Sequence, residues 1–127
     1  MEKKNLDWKH IGFAYHTTDY RYVADYKDGK WQEGYMSDSP NIVLNECAGI
    51  MQYCQEVFEG LKAYETADGR IVTFRSDLNA DRMYHSAERM EMPPFPKERF
   101  IEAVEKVVKA NEAWVPPYGS GATLYLR

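Results

Sequence analysis

The sequence contains few of the side chains that bind metal ions. Its 127 residues include only two cysteines, Cys47 and Cys54, and neither has a histidine or a second cysteine at the spacing of a metal-binding motif. Three histidines are scattered along the chain with no paired carboxylate or hydroxyl at useful spacing: His10, His16 and His85. We therefore expect no metal site, histidines with surface or structural roles, and reduced thiols in a cytoplasmic protein.

The sequence also lacks a long apolar run and an excess of positive charge. Its apolar stretches are far shorter than the roughly 20 residues needed to cross a bilayer, and the charged start, residues 1–4, does not resemble a secretory leader. With 16 Lys and Arg against 20 Asp and Glu, the formal net charge is -4. We expect neither a membrane nor a nucleic acid as a partner.

The composition is typical of one globular domain. Hydrophobic residues make up 44% of the chain and charged residues 28%, so we expect residues 1–127 to form a single domain with a modest core. Two segment pairs with strand character flank Asp-Gly turns and predict β-hairpins. They are residues 20–26 and 31–35 around Asp28-Gly29, and residues 56–64 and 70–74 around Asp68-Gly69.

Two helices and a further strand are predicted after the hairpins. Asp77 can cap a helix that continues to residue 89, before the proline-rich residues 93–96. Residues 97–113 show apolar side chains at three- and four-residue spacing, as an amphipathic helix requires, and residues 122–127 predict a strand. The pattern predicts an α+β fold, in which a mainly antiparallel sheet of hairpins packs against two helices.

Spacing alone suggests little chemistry. Lys62 is the only lysine within a predicted core strand, but its alternation with apolar neighbours favours a solvated strand face over a buried nucleophile. Arg82 and Arg89 share one helix face, and a surface role is the simpler interpretation. Tyr125 and Arg127 share one face of a strand, where they could bind a carboxylate.

Several motifs nevertheless occur together and in a characteristic order. They are YCQEVFEGLKAY at 53–64, FR at 74–75, NADRM at 79–83, SAER at 86–89, MP at 92–93, WVPP at 114–117 and LYLR at 124–127. Together they resemble the branched-chain amino-acid aminotransferases, which are fold-type IV pyridoxal-phosphate enzymes. The resemblance runs from about Gly12 to Arg127. The segments at 114–117 and 124–127 look less like the D-amino-acid transaminases and aminodeoxychorismate lyases of the same fold.

The resemblance implies roles for six residues. Arg82 would bind the phosphate of pyridoxal phosphate, a bidentate task that suits a guanidinium. The substrate pocket would include Phe13, Tyr53, Phe58, Tyr125 and Arg127. Tyr53 would serve the site of the neighbouring subunit, so the family implies a homo-oligomer. Its substrates would be leucine, isoleucine or valine, with 2-oxoglutarate or glutamate in the second half-reaction.

The resemblance also implies that part of the enzyme lies outside this chain. In this family, the lysine that attaches the cofactor and the glutamate that pairs with its pyridine nitrogen belong to a larger C-terminal domain, and Lys62 matches no catalytic position. We therefore expect a truncated N-terminal small domain that is inactive alone, and the end of the chain within a predicted strand agrees with this. Two alternatives stay open: a non-catalytic binding or interaction module that reuses the fold, and another fold-type IV enzyme.

Overall fold

The computed structural model describes residues 2–127. All of its strand pairs are antiparallel, and helices accompany the sheets, so the predicted α+β class is confirmed. No helix in residues 2–127 combines the length and apolar character of a transmembrane span. The elements in chain order are β1 (Arg21–Val23), β2 (Tyr26–Lys27), β3 (Lys30–Trp31), β4 (Tyr35–Ser37), α1 (Gly49–Tyr53), β5 (Leu61–Glu65), β6 (Ile71–Thr73), α2 (Ser76–Arg89), α3 (Lys97–Ala110) and β7 (Leu124–Leu126).

The first predicted hairpin is confirmed, but it is interrupted. Asp28 and Gly29 have φ values of 53° and 75°, as a two-residue hairpin turn requires. β1 pairs with β4 and β2 pairs with β3, and the two registers differ by one residue, so the return strand carries a bulge. Gly34 lies in this bulge, where a Cβ atom would overlap the ring of Tyr22.

The second hairpin forms two strands of a three-stranded sheet with the order β6-β5-β7. Its first strand begins at Leu61 and not at residue 56 as predicted. The partner strand β7 extends only to the pair Leu61 and Leu126, and the side chain of Glu59 binds helix α2 instead. The predicted strand at 122–127 is therefore also shorter than expected and covers Leu124–Leu126.

Helix α2 begins one residue before the predicted cap. Arg75 precedes it with a φ of 49°, and Asp77 lies in the first turn, where its carboxylate accepts hydrogen bonds from the Arg75 guanidinium. The prediction that Asp77 caps the helix is thus wrong. An acidic residue in the first turn still interacts favourably with the helix dipole.

The second predicted helix, residues 97–113, ends early at Ala110 and is followed by a 3₁₀ turn, Glu112–Trp114. The cause is Asn111, whose side chain is buried and binds the backbone of Tyr20 in both directions, at 2.9 and 2.8 Å. The Nδ2 atom of Asn111 also donates to the carbonyl of Val107 at 2.9 Å, and such local side-chain hydrogen bonds to the backbone compete with helix continuation. Asn111 thereby attaches the end of α3 to the segment that leads into β1.

The core lies between the three-stranded sheet and α3. Leu61 and Ala63 of β5 pack on Val104 and Val108 of α3. Ile71, Phe100, Leu124 and Leu126 pack around them from β6, α3 and β7. The predicted apolar stripe of α3 therefore faces the sheet, and the opposite sheet face stays open.

We expect Leu61→Ala to lower the free energy of unfolding by about 3 kcal/mol, because it leaves a cavity in this core. Leu61 is 8% exposed, whereas Leu78 on α2 is 51% exposed, so the matched change Leu78→Ala should cost less than about 1 kcal/mol. Urea unfolding of the two variants checks this. Equal losses would show that β5 does not form the core.

Candidate functional site

Arg82 on α2 forms an ion pair with Glu59, which precedes β5. The Nε atom of Arg82 donates to Oε1 of Glu59, and Nη2 donates to Oε2 at 2.9 Å. The Glu59 side chain is 5% exposed, whereas that of Arg82 is 67% exposed. The carboxylate is therefore buried, and the guanidinium that it holds faces solvent.

Asn79, one turn before Arg82 on α2, completes the hydrogen bonding of Glu59. Its Nδ2 atom donates to Oε2 of Glu59 at 2.7 Å and to the carbonyl of Gly60 at 3.2 Å. The Arg82 guanidinium lowers the pKa of Glu59, and the Asn79 amide acts in the same direction, against the effect of burial. Glu59 in turn raises the pKa of Arg82, so both groups are ionised at neutral pH.

A shallow groove opens beside Arg82. Its lining residues are Glu56, Val57, Phe58, Arg82, His85, Ser86, Arg89 and Met90. Arg82 and Arg89 line the same groove, in agreement with the predicted shared helix face. Arginine has five N–H donors, of which Glu59 occupies two, so three remain for another acceptor. Guanidinium, hydroxyl and imidazole donors in one groove fit a phosphate group.

Two of the predicted substrate-pocket residues contact each other. The rings of Phe13 and Tyr125 lie 5.4 Å apart at an interplanar angle of 53°, a favourable aromatic geometry. The Tyr125 hydroxyl extends over Gly60, where a Cβ atom would overlap it. Phe58, two residues before Gly60, is 81% exposed and lines the groove beside Arg82. The segment at 58–60 therefore connects the aromatic pair with the groove.

The other two predicted pocket residues lie apart from these contacts. Tyr53 is the last residue of α1, a short helix that was not predicted, and it is 82% exposed. Arg127 is exposed directly after β7. Within residues 2–127, neither side chain forms a hydrogen bond or an ion pair.

Lys62 is exposed, as predicted. It lies opposite Tyr125 in the β5–β7 register, so both side chains project from the same face of the sheet. This face is opposite to the one that Leu61 and Ala63 bury. Lys62 and the candidate pocket residue Tyr125 thus share the open face of the sheet, and Lys62 is exposed there.

The expectation that the histidines lack paired carboxylates is wrong for His85 and His10. Nδ1 of His85 lies 3.0 Å from Glu88, and Nδ1 of His10 lies 2.9 Å from Asp7. Both pairs are exposed and separated by three residues, a spacing that brings side chains together on a helix. The three-residue spacing is visible in the sequence and could have predicted both pairs.

Sequence reasoning also missed Glu59 and Asn79. They lie 20 residues apart along the chain, so no local spacing indicates that they meet. The only signal was an acidic residue between Phe58 and Gly60, directly before the apolar residues of β5.

Comparison with known proteins identifies relatives that match nearly the whole chain. No family model matches it. A branched-chain-amino-acid aminotransferase from Haemophilus influenzae is 51% identical over 124 residues, which cover 98% of this chain and 36% of that protein. A protein of the same name from Helicobacter pylori is 45% identical over 98% of this chain and 36% of its own length. A methionine aminotransferase from Arabidopsis thaliana is 44% identical over 97% of this chain and 35% of its own length.

The chain thus spans about one third of the length of the curated relatives that it matches. The matched region extends over nearly the whole chain and therefore spans both hairpins, helices α2 and α3 and the candidate site. Over this length, the chain is a homologue of the branched-chain-amino-acid aminotransferases.

Proposed function

We propose that the full-length protein transfers the amino group of leucine, isoleucine or valine to 2-oxoglutarate with pyridoxal phosphate, and that this segment is its N-terminal small domain. The observation that carries the proposal is 51% identity to an aminotransferase over 98% of the chain. A cytoplasmic location belongs to the same proposal, and the exposed free thiols Cys47 and Cys54 are compatible with a reducing compartment.

In this proposal, Arg82 binds the phosphate of the cofactor. Its guanidinium has three uncommitted N–H donors and faces a groove that also contains Arg89 and Ser86. When bound, pyridoxal phosphate supplies the electron sink for amino transfer. This segment contributes the anion contact and part of the pocket wall. The lysine that attaches the cofactor belongs to the remainder of the protein, so the segment alone is inactive.

Phe13, Phe58 and Tyr125 form the apolar wall for the substrate side chain. Each methylene group that is buried against such a wall contributes about 0.8 kcal/mol, which favours branched aliphatic side chains over small ones. Tyr125 and Arg127 provide polar groups for a carboxylate. Because one relative is named for methionine, a long unbranched side chain is the natural competitor in a substrate comparison.

The full-length protein is a homo-oligomer in this proposal, and Tyr53 contributes to the site of a neighbouring subunit. The exposure of the Tyr53 ring supports this role, because the ring is available to a second chain. Phe13, Phe58 and Phe74 are also largely exposed. These rings are likewise available for contact with a second chain.

In the full-length protein, Arg82→Ala should weaken pyridoxal-phosphate binding by roughly 10- to 150-fold, because a lost charge-assisted contact costs about 1.5 to 3 kcal/mol. The preference for leucine over valine should change much less. Absorbance titration of the apoprotein measures the affinity. Arg70→Ala is a suitable control, because Arg70 pairs with Asp68 at a hairpin turn. Unchanged affinity in Arg82→Ala would make Arg82 an ordinary surface residue.

Borohydride reduction of the 127-residue chain with pyridoxal phosphate should label no single lysine stoichiometrically. Lys62 is exposed on a strand and lacks the desolvated pocket that activates a lysine. The full-length protein should instead be labelled at one lysine outside this segment. Peptide mass mapping checks both results, and stoichiometric labelling of Lys62 would contradict the proposal.

The 127-residue chain should self-associate as its concentration rises, because its exposed aromatic rings bury apolar surface on contact. The double change Tyr53→Ser with Phe58→Ser should shift association to higher concentration. Tyr118→Ser, at another exposed aromatic position, is the matched control. Light scattering over a dilution series measures the effect, and a monomer that persists at millimolar concentration would contradict the expectation.

A further inference from the structure

The Glu59 carboxylate is buried directly behind the guanidinium that faces the groove. A buried carboxylate is costly unless it is paired and fully hydrogen-bonded. Glu59 meets both conditions through Arg82 and Asn79. Its burial therefore depends on the side chain that, in the proposed function, binds phosphate.

The two hydrogen bonds from Arg82 fix the plane of its guanidinium. They use the edge formed by Nε and Nη2, so the edge formed by Nη1 and the second N–H of Nη2 is left for another acceptor. Within residues 2–127, no acceptor contacts Nη1. A long flexible side chain is thereby held in one orientation before any ligand binds, and such preorganisation reduces the entropy lost on binding.

Asn79 also holds Glu59, through the same Oε2 atom that Nη2 of Arg82 binds. Its amide binds both the Glu59 carboxylate and the Gly60 carbonyl, so the orientation of Arg82 is linked to the backbone beneath the Tyr125 hydroxyl. The Arg75 guanidinium likewise donates hydrogen bonds to both carboxylate oxygens of Asp77. Both of these side chains are about half exposed, and they are only two residues apart. The Glu59–Arg82 pair instead joins α2 to the segment before β5.

We propose that Glu59 is a positioning residue, which holds the Arg82 guanidinium so that its free edge receives the phosphate of pyridoxal phosphate. This inference rests on the proposed function. The carboxylate acts through geometry, because its negative charge by itself opposes a nearby phosphate. If Glu59 positions Arg82, removal of its carboxylate should weaken phosphate binding. If its charge only repels the phosphate, the same removal should strengthen binding.

The test compares two probes, pyridoxal phosphate and pyridoxal, on the full-length apoprotein. Glu59→Gln keeps the size of the side chain but removes the charge and one acceptor. Binding of pyridoxal phosphate should weaken about tenfold, as expected for one lost charged hydrogen bond. Binding of pyridoxal, which has no phosphate, should change less than about twofold. Tighter binding of pyridoxal phosphate would mean that the charge only repels the ligand and would overturn the proposal.

Asp77→Asn is the matched control, since it removes a carboxylate from the other two-point arginine pair and should leave both affinities unchanged. If Glu59→Gln does not fold, as judged by circular dichroism, Asn79→Ala replaces it. Asn79→Ala keeps the ion pair but loosens it. It should lower the ratio of the affinity for pyridoxal phosphate to the affinity for pyridoxal by at least about twofold. An unchanged ratio would overturn the proposal.

A double-mutant cycle with Arg82→Ala distinguishes the phosphate-binding role of Arg82 from the positioning role of Glu59. If Glu59 acts through Arg82, Glu59→Gln should not weaken pyridoxal-phosphate binding further in the Arg82→Ala background, where the repulsion between its charge and the phosphate is the only direct effect left to remove. If Arg82→Ala alone leaves affinity unchanged, the phosphate assignment of the proposed function fails. If Arg82→Ala weakens binding and Glu59→Gln does not, only the positioning role fails.

Discussion

The packing of β5 against α3 is the constraint on which the rest of this structure depends. β5 is the central strand of its sheet, so the inward direction of Leu61 and Ala63 determines the orientation of both neighbouring strands. The same alternation directs Lys62 to the open face. A strand that slipped by one residue would bury that lysine and expose the core, which makes this register strongly preferred.

The candidate site forms where the regular strand has not yet begun. The segment at 56–60 lies outside the sheet. Within it, Glu59 is directed toward α2, where Arg82 and Asn79 hold its carboxylate. Paired burial of this kind contributes little net stability, since desolvation offsets most of the attraction. Its effect is to give an exposed guanidinium a definite orientation, which is of more use to a binding site than to a core.

The relatives and the geometry of the candidate site support different parts of the proposed function. The relatives connect the chain to aminotransferases over nearly all of its length, but the chain spans only about one third of theirs. The structure contains a groove beside Arg82 and an aromatic pair, Phe13 and Tyr125, and the segment at 58–60 lies between them. In the proposed function, the reaction therefore belongs to the whole protein, and this segment contributes part of the binding surface.

The sequence by itself determined the features that arise from neighbouring residues. The Asp28-Gly29 turn, the second hairpin, the apolar stripe of α3 and the exposed face of Lys62 follow from positive φ and from periods of two and 3.6 residues. Tertiary structure decided where β5 begins, where α3 ends and what Arg82 contacts. Asn111 meets Tyr20 across 91 residues and Arg82 meets Glu59 across 23. Side-chain hydrogen bonds over such separations leave no periodic signal, because only the folded chain brings their partners together.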